Sequence, residues 1–164
     1  MIFVTVGTHE QPFNRLVEYM DDWAKDHEEK VIIQTGYSTY EPKYCEWKKL
    51  FPYQEMVEKV ENARIVITHG GPSSFIMPLQ IGKIPIVVPR KKEFDEHVNN
   101  HQVEFCSQLA KRMGNIIVVL EINELGDILE QYSDTLNSVR TDIKSNNENF
   151  CENFKKIVDE LQIQ

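Results

Sequence analysis

Three short segments carry residue types whose spacing suits an anion or a sugar. The first is Thr68-His69-Gly70-Gly71-Pro72-Ser73-Ser74, where two glycines, a proline and two serines separate an apolar run from a helical pattern. Backbone N–H groups at a helix start have no intrahelical acceptor. Together with serine hydroxyls they can hold a diphosphate without a metal. The same residues also suit a capped helix, with Ser73 or Ser74 as N-cap and His69 as a hydrogen-bonded buried histidine. The second segment is Gly7-Thr8-His9-Glu10-Gln11-Pro12-Phe13. Its glycine permits close backbone approach and the helix after it favours an anion, although a turn made for packing reads the same way. The third runs from Pro89 to Gln102, with Arg90, Lys91 and Lys92 directly after an apolar run. Its dense polar set can read sugar hydroxyls, or it can be a solvated loop of ordinary charge pairs. His97 and His101 stand four apart, but no Glu-x-x-His and no third ligand completes a metal site, so no metal is expected. No Gly-Lys-Ser/Thr of the Walker type is present.

The elements that must position these segments follow from periodicity. Residues 2–6, 30–35, 64–68, 84–88 and 115–120 read as strands, rich in β-branched residues. Helical spacing predicts helices over 13–25, 53–62, 73–81, 96–112 and 122–136. Residues 37–49 carry no clear pattern, with room for a short strand. The tail over 139–161 predicts a last helix with apolar residues Ile143, Phe150, Phe154, Ile157 and Leu161. Near-continuously apolar strands alternating with helices predict a parallel sheet covered on both faces, wound right-handed. This is a Rossmann-like doubly wound α/β fold in one domain over 1–164. Ligands of such folds sit outside the carboxyl ends of the strands, which directs attention to the loops after residues 6, 35, 68 and 88.

Composition narrows the function classes. The chain has 164 residues, 18 Lys+Arg against 26 Asp+Glu, and a formal net charge of -8. That balance disfavours nucleic acid as the main partner and leaves room for an anionic small ligand in a locally favourable pocket. The longest apolar runs have strand length, far from the roughly 20 residues of a membrane span. The start Met1-Ile2-Phe3-Val4 lacks the basic region of a signal peptide. Three widely spaced cysteines without a CxxC suggest neither a disulfide framework nor a zinc site, and they fit a reducing cytoplasm. Any membrane attachment is expected to come from a partner.

In combination, order and spacing, these segments resemble the nucleotide-sugar-binding half of GT-B glycosyltransferases. They are most similar to the Alg13-like family with its bacterial capsule and exopolysaccharide counterparts, and more distantly to MurG. The resemblance rests on Val4-Thr5-Val6-Gly7-Thr8, Gln34-Thr35-Gly36, the stretch from Ala63 to Gly71, Gly82-Lys83-Ile84-Pro85-Ile86-Val87-Val88-Pro89, and Asn100-His101-Gln102. It covers about residues 1–135, the tail less clearly. It implies a GT-B C-terminal-type domain, a UDP-sugar donor and no resident cofactor. It also implies a separate membrane-associated Alg14-like subunit that binds a polyprenyl-diphosphate-linked acceptor at the inner face of the plasma membrane. The C-terminal apolar stripe is then a docking surface or simply packs on its own domain.

The resemblance assigns Gly7, Thr8 and His9 to the diphosphate, Gly70, Gly71, Ser73 and Ser74 to the α-phosphate side, and Phe51 to Tyr53 to the uracil border. His101 and Gln102 would face the donor sugar. His69 and Arg90 are included as donor-binding candidates. Where relatives place a ribose-binding glutamate on the helix after the Gly-Gly turn, this chain has Met77. Either Glu93, Asp95 or Glu96 reads the ribose, or the nucleotide is held differently. The implied reaction is inverting sugar transfer to a hydroxyl, with galactose as the expected sugar and His9 or Glu10 as the local general base, unless the partner supplies it. The alternatives are a non-catalytic UDP-sugar-binding or enhancer subunit and a self-sufficient homodimeric transferase. A phospho-relay receiver is disfavoured because the first strand ends in Val6-Gly7-Thr8 rather than in acidic residues.

Overall fold

The computed structural model of the chain describes residues 1–137 together with 151, 152 and 155. The expected tail stripe at Ile143, Phe150, Phe154, Ile157 and Leu161 falls on residues outside those described. Six strands make one sheet: β1 Ile2–Thr5, β2 Val31–Gln34, β3 Glu46–Lys48, β4 Ile65–His69, β5 Ile86–Val88 and β6 Ile117–Val118. Their order is β3-β2-β1-β4-β5-β6, and every neighbouring pair is parallel. The helices are α1 Asn14–Lys25, α2 Tyr53–Asn62, α3 Pro72–Gln80, α4 His101–Met113, α5 Leu125–Glu130 and α6 Tyr132–Leu136. The doubly wound α/β expectation holds.

Alternation along β1 sends its side chains to two cores. Ile2 and Val4 join Leu16, Val17 and Met20 of α1 and Leu125, Leu129 and Tyr132 of α5 and α6. Phe3 turns the other way, to Val60 and Ala63 beneath α2. On that second face Phe75 of α3, Val87 and Cys106 of α4 make a third cluster. Fully burying one such apolar side chain contributes about 1.5–3 kcal/mol, so the two-sided cover is what holds the strands. The Tyr132 hydroxyl donates to the Ile84 carbonyl at 2.6 Å and ties the last helices to the approach of β5. The outer strand β3 is exposed throughout and carries Glu46 and Lys48, charges that discourage edge pairing.

One segment left open by the sequence is settled and two depart from its expectation. The undecided stretch 37–49 does hold a strand, β3, and a buried carboxylate sets its approach. Asp21 of α1, 0% exposed, accepts backbone N–H bonds from Lys43, Tyr44 and Cys45 and the Tyr40 hydroxyl. The helix expected over 96–112 begins only at His101. Asp95 sits at φ 55, and the Glu96 carboxylate accepts from the Lys91 N–H and from Arg15. Those bonds commit 95–100 to a loop. The helix expected over 122–136 is a 3-10 turn followed by α5 and α6, interrupted at Gln131.

Candidate functional site

The strand order reverses between β1 and β4, and a cleft of about 920 Å³ opens at the carboxyl ends of β1, β2 and β4. This is where doubly wound sheets bind ligands, and the volume suits a nucleotide-sized molecule. The cleft has two unlike ends. Thr5, Gly7, Thr8, His9, Gln34, His69, Ser73, Ser74, Gln80 and Gln102 are its polar lining. Leu50, Phe51, Tyr53, Met56, Val60, Ile76 and Met77 are its apolar lining.

At the polar end α3 begins at Pro72 with Gly71 as N-cap and no side-chain cap. Pro72 suits the first helical position because it has no N–H to leave unpaired. No acidic residue occupies the first turn, so the positive end of the helix dipole is left for a ligand. The His69 ring is wedged between the two glycine turns. A Cβ built on Gly7 would run into its Cε1, and one built on Gly71 into its Nε2. Gly7 also needs its φ of 75, a region that side-chain-bearing residues rarely adopt.

His69 is 8% exposed and its Nδ1 is buried without a hydrogen-bond partner. Burial, reinforced by the nearby Arg90 charge and His9, pushes its pKa down to about 4. The ring is therefore neutral near pH 7 and offers hydrogen bonds rather than charge. Buried polar atoms without partners are uncommon, and here one stands at the cleft floor.

Gln102 fixes the loop ends. Its Oε1 accepts the N–H groups of Gly70 and Arg90, both at 3.1 Å. Two N–H donors on one amide atom identify that atom as oxygen. Gln34 works similarly at the other end, donating to Thr5 Oγ1 and accepting the Phe51 N–H at 2.9 Å. The Phe51 ring meets Phe3 edge-on at 6.0 Å and lies beneath the Lys59 and Lys48 ammonium groups.

Of the residues singled out from sequence, Gly7, Thr8, His9, Tyr53, His69, Ser73, Ser74 and Gln102 line this one cleft. Gly70 and Gly71 lie behind it, in the turn that clears the approach. Three do not reach it. Arg90 is 0% exposed and donates to the carbonyls of Val6, Gln11, Pro12 and Glu96. It is an internal strut: fully buried, with its Nη1 and Nη2 groups on backbone carbonyls, while its buried Nε has no partner. His101 is exposed on α4 with its ring stacked on Phe105 at 6.1 Å. Glu10 is exposed and outside the cleft lining.

The acidic residues offered for a ribose are also elsewhere. Glu96 makes a two-pronged pair with Arg15, at 2.8 and 2.9 Å. Glu93 lies 3.9 Å from Lys91, and the Asp95 carbonyl accepts from Gln11. Among the described residues no three His, Cys, Asp or Glu side chains gather as a metal site. No helix among them is long and apolar enough to cross a membrane.

Sequence reasoning missed Thr5, Gln34, Leu50, Met56, Val60, Ile76 and Gln80 as lining residues. Two signals were readable. Gln34 is a polar residue closing an apolar strand, and Tyr53, Met56 and Val60 share one face of α2 at helical spacing.

A family model described as the glycosyltransferase family 28 C-terminal domain matches residues 1–161. The chain is 30% identical over 90 residues to the UDP-N-acetylglucosamine transferase subunit ALG13 of Yarrowia lipolytica, covering 55% of this chain and 37% of that protein. It is 31% identical over 123 residues to the Homo sapiens protein of the same name, covering 67% of this chain and 10% of that one. The chain thus spans well under two thirds of these relatives. Two solved structures share the fold. The glycotransferase of kitacinnamycin superposes with a TM-score of 0.59 at 17% identity, over 80% of this chain and 34% of that one. CalG4, the calicheamicin glycosyltransferase, gives 0.58 at 17% identity, over 85% and 37%.

Proposed function

This chain belongs to the glycosyltransferase family 28 C-terminal domain family, and from that premise we propose that it is the donor-binding, catalytic subunit of a two-component inverting glycosyltransferase. It takes a UDP-sugar and passes the sugar to a lipid-linked saccharide carried by an Alg14-like, membrane-associated partner. The observation that carries this reading is the uncapped start of α3 opening into the switch-point cleft. Relatives named as UDP-N-acetylglucosamine transferase subunits support a UDP-sugar and a multi-subunit enzyme. They favour N-acetylglucosamine as the sugar, against the galactose and capsule or exopolysaccharide assignment that the resemblance suggests.

Chemistry follows from the polar end of the cleft. As the sugar–phosphate bond breaks, charge grows on the leaving diphosphate, where the α3 N–H groups and the Ser73 and Ser74 hydroxyls can stabilise it. The acceptor hydroxyl must lose a proton, and His9 is the cleft-lining candidate. Gln11 donates from Nε2 to the Asp95 carbonyl, so its Oε1 faces the His9 Nε2 at 2.9 Å. His9 therefore carries its proton on Nε2, and Nδ1 keeps the lone pair that accepts one. The His97 ring, stacked at 5.0 Å, holds the imidazole in place.

The test is titration of the chain by calorimetry with UDP, then UDP-N-acetylglucosamine, UDP-galactose, UDP-glucose and UDP-glucuronate, with and without EDTA. Binding of UDP that is indifferent to EDTA and falls at least 100-fold in Gly71→Asp supports the donor site. That substitution drives a side chain into His69 and sets a negative charge where the diphosphate would lie. Absence of UDP binding with and without the partner overturns the reading. In the assembled pair, His9→Ala should lower turnover by roughly 10²–10⁴-fold with UDP affinity kept, the ordinary range for losing a general base. Glu10→Ala should leave turnover unchanged.

A further inference from the structure

The outer edge of the sheet carries a pattern that the cleft does not use. The strand β3 is Glu46-Trp47-Lys48, and all three side chains are exposed. Trp47 is 39% exposed, although tryptophan offers one of the largest apolar surfaces to bury. In a parallel ladder the N–H and C=O of one residue point to the same side, and successive residues alternate. The Lys48 carbonyl accepts the Thr35 N–H at 3.1 Å, so Lys48 bonds toward β2 and the Trp47 N–H and C=O face outward. The outward positions beside it are partly taken. The Cys45 N–H donates to the Asp21 carboxylate at 3.0 Å, and the Lys49 carbonyl accepts the Gly36 N–H at 2.9 Å. Trp47 is thus the centre of the free edge. Glu46 and Lys48 flank it on one face of the sheet with opposite charges.

We propose that β3 pairs antiparallel with β3 of a second copy of this chain, about a two-fold axis through Trp47, and joins two sheets edge to edge. The two Trp47 residues then exchange both backbone hydrogen bonds, and Glu46 of each copy lies opposite Lys48 of the other. Charge fixes that register. Only even slips keep outward groups facing outward groups. A slip of two residues one way sets Glu46 against Glu46, and the other way Lys48 against Lys48. Like charges directly opposite are destabilising. The charges that turn other strands away from this edge therefore admit a second copy in one register. The same axis brings Tyr44, 54% exposed, toward Leu50 of the other copy, 42% exposed. The charges already have partners, Lys30 for Glu46 at 2.5 Å and Glu55 for Lys48 at 3.3 Å. Both are exposed surface pairs, and such pairs are worth little enough to be shared. A two-fold contact closes on itself, so it makes a dimer rather than a fibre. The contact is small, which makes the dimer a weak one. This inference stands apart from the nucleotide-sugar reading.

The experiment is sedimentation equilibrium of the full chain from micromolar to millimolar concentration, with Glu46→Lys, Lys48→Glu and an equimolar mixture of these two variants. The wild type is expected to show a monomer–dimer equilibrium. Each single reversal turns two opposite-charge pairs into like-charge pairs, because the axis repeats it, and should weaken the dimer by about tenfold or more. In the mixture the reversed charges complement each other across the axis, so association should return to the wild-type level. Rescue by mixing is also the folding control, since misfolded chains do not restore one another. A wild type that stays monomeric throughout overturns the proposal. Single variants that dimerise like the wild type overturn it too, because the contact then lies on another face. A mixture that fails to associate overturns the register and the pairing with it.

Discussion

Two polar segments stand out in the chain, and the fold uses them in opposite ways. The turn 68–74 holds a single titratable side chain, His69, yet it faces the cleft with a helix start that no side chain caps. The segment 89–102 is crowded with charge, yet its most buried charges face inward. Arg90 is spent on backbone carbonyls, Glu96 on Arg15, and Lys91 on Glu121 at 2.9 Å. Charge density along a sequence therefore marks where the fold needs struts as readily as where it meets a ligand. Capacity for an anion comes instead from backbone donors that the fold leaves without acceptors.

The largest expected effect tests the strut. Arg90→Met removes the donor from four carbonyls, the buried ones of Val6 and Glu96 and the part-buried ones of Gln11 and Pro12. The expected loss is on the order of 3–5 kcal/mol of folding stability, as for other buried charged groups stripped of partners, read by denaturant unfolding. Arg90→Lys should recover only part of it, because a point-like ammonium cannot span the same acceptors as a planar fork. If instead Arg90→Met unfolds like the wild type and loses UDP affinity, the residue faces the ligand and the contrast between the segments collapses.

The sequence made most of the fold legible and about half of the site. Strands β1, β2, β4 and β5 announce themselves as β-branched runs because both faces of each are buried, so no polar alternation blurs them. The stretch 37–49 does not, because its shape is set by Asp21, more than 20 positions earlier, and no local pattern encodes that distance. The same reason displaced the start of α4. Local spacing favours helix from residue 96, while the long-range ion pair with Arg15 holds that residue in a loop. In the site, the glycine turns are readable as turns because glycine at a strand end marks a close approach or a positive φ, as at Gly7. The apolar wall is not, because Met56, Val60 and Ile76 look like any core-facing helix residues until the cleft beside them is seen.

A second way to sharpen the contrast uses pH. His69 titrates at about 4 in the folded chain against 6.5 as its ordinary value, chiefly through burial. Between those values the unfolded chain binds a proton that the folded chain refuses, so stability rises with pH through this window and levels off above it. The total from this one group is on the order of 3 kcal/mol. Other groups act lower. Asp21, where burial works upward and four donated hydrogen bonds outweigh it, and Glu29, bonded to Arg64, both titrate below ordinary carboxylate values. Their contributions are lost only as the pH falls toward and below 4. Denaturant midpoints of wild type and His69→Gln between pH 4.5 and 7 should therefore diverge, with the wild type falling more steeply toward acid. Parallel curves would mean that the ring is not sealed under the cleft floor.

The smallest effect concerns another charge turned inward, this time behind the apolar wall. The Lys83 ammonium donates to the carbonyls of Val60, Glu61 and Ala63, capping the carboxyl end of α2 just ahead of β5. A cation there both satisfies orphan carbonyls and opposes the negative end of the helix dipole. Lys83→Met should cost about 0.5–1 kcal/mol in unfolding free energy, the usual scale for a terminal charge and its hydrogen bonds. UDP affinity should change by less than twofold, because Phe3 and Val66 still hold α2 from beneath. A tenfold loss of affinity with the stability unchanged would mean that this lysine tunes the wall itself. Lys83 would then belong with the cleft turn 68–74 rather than with the struts of 89–102.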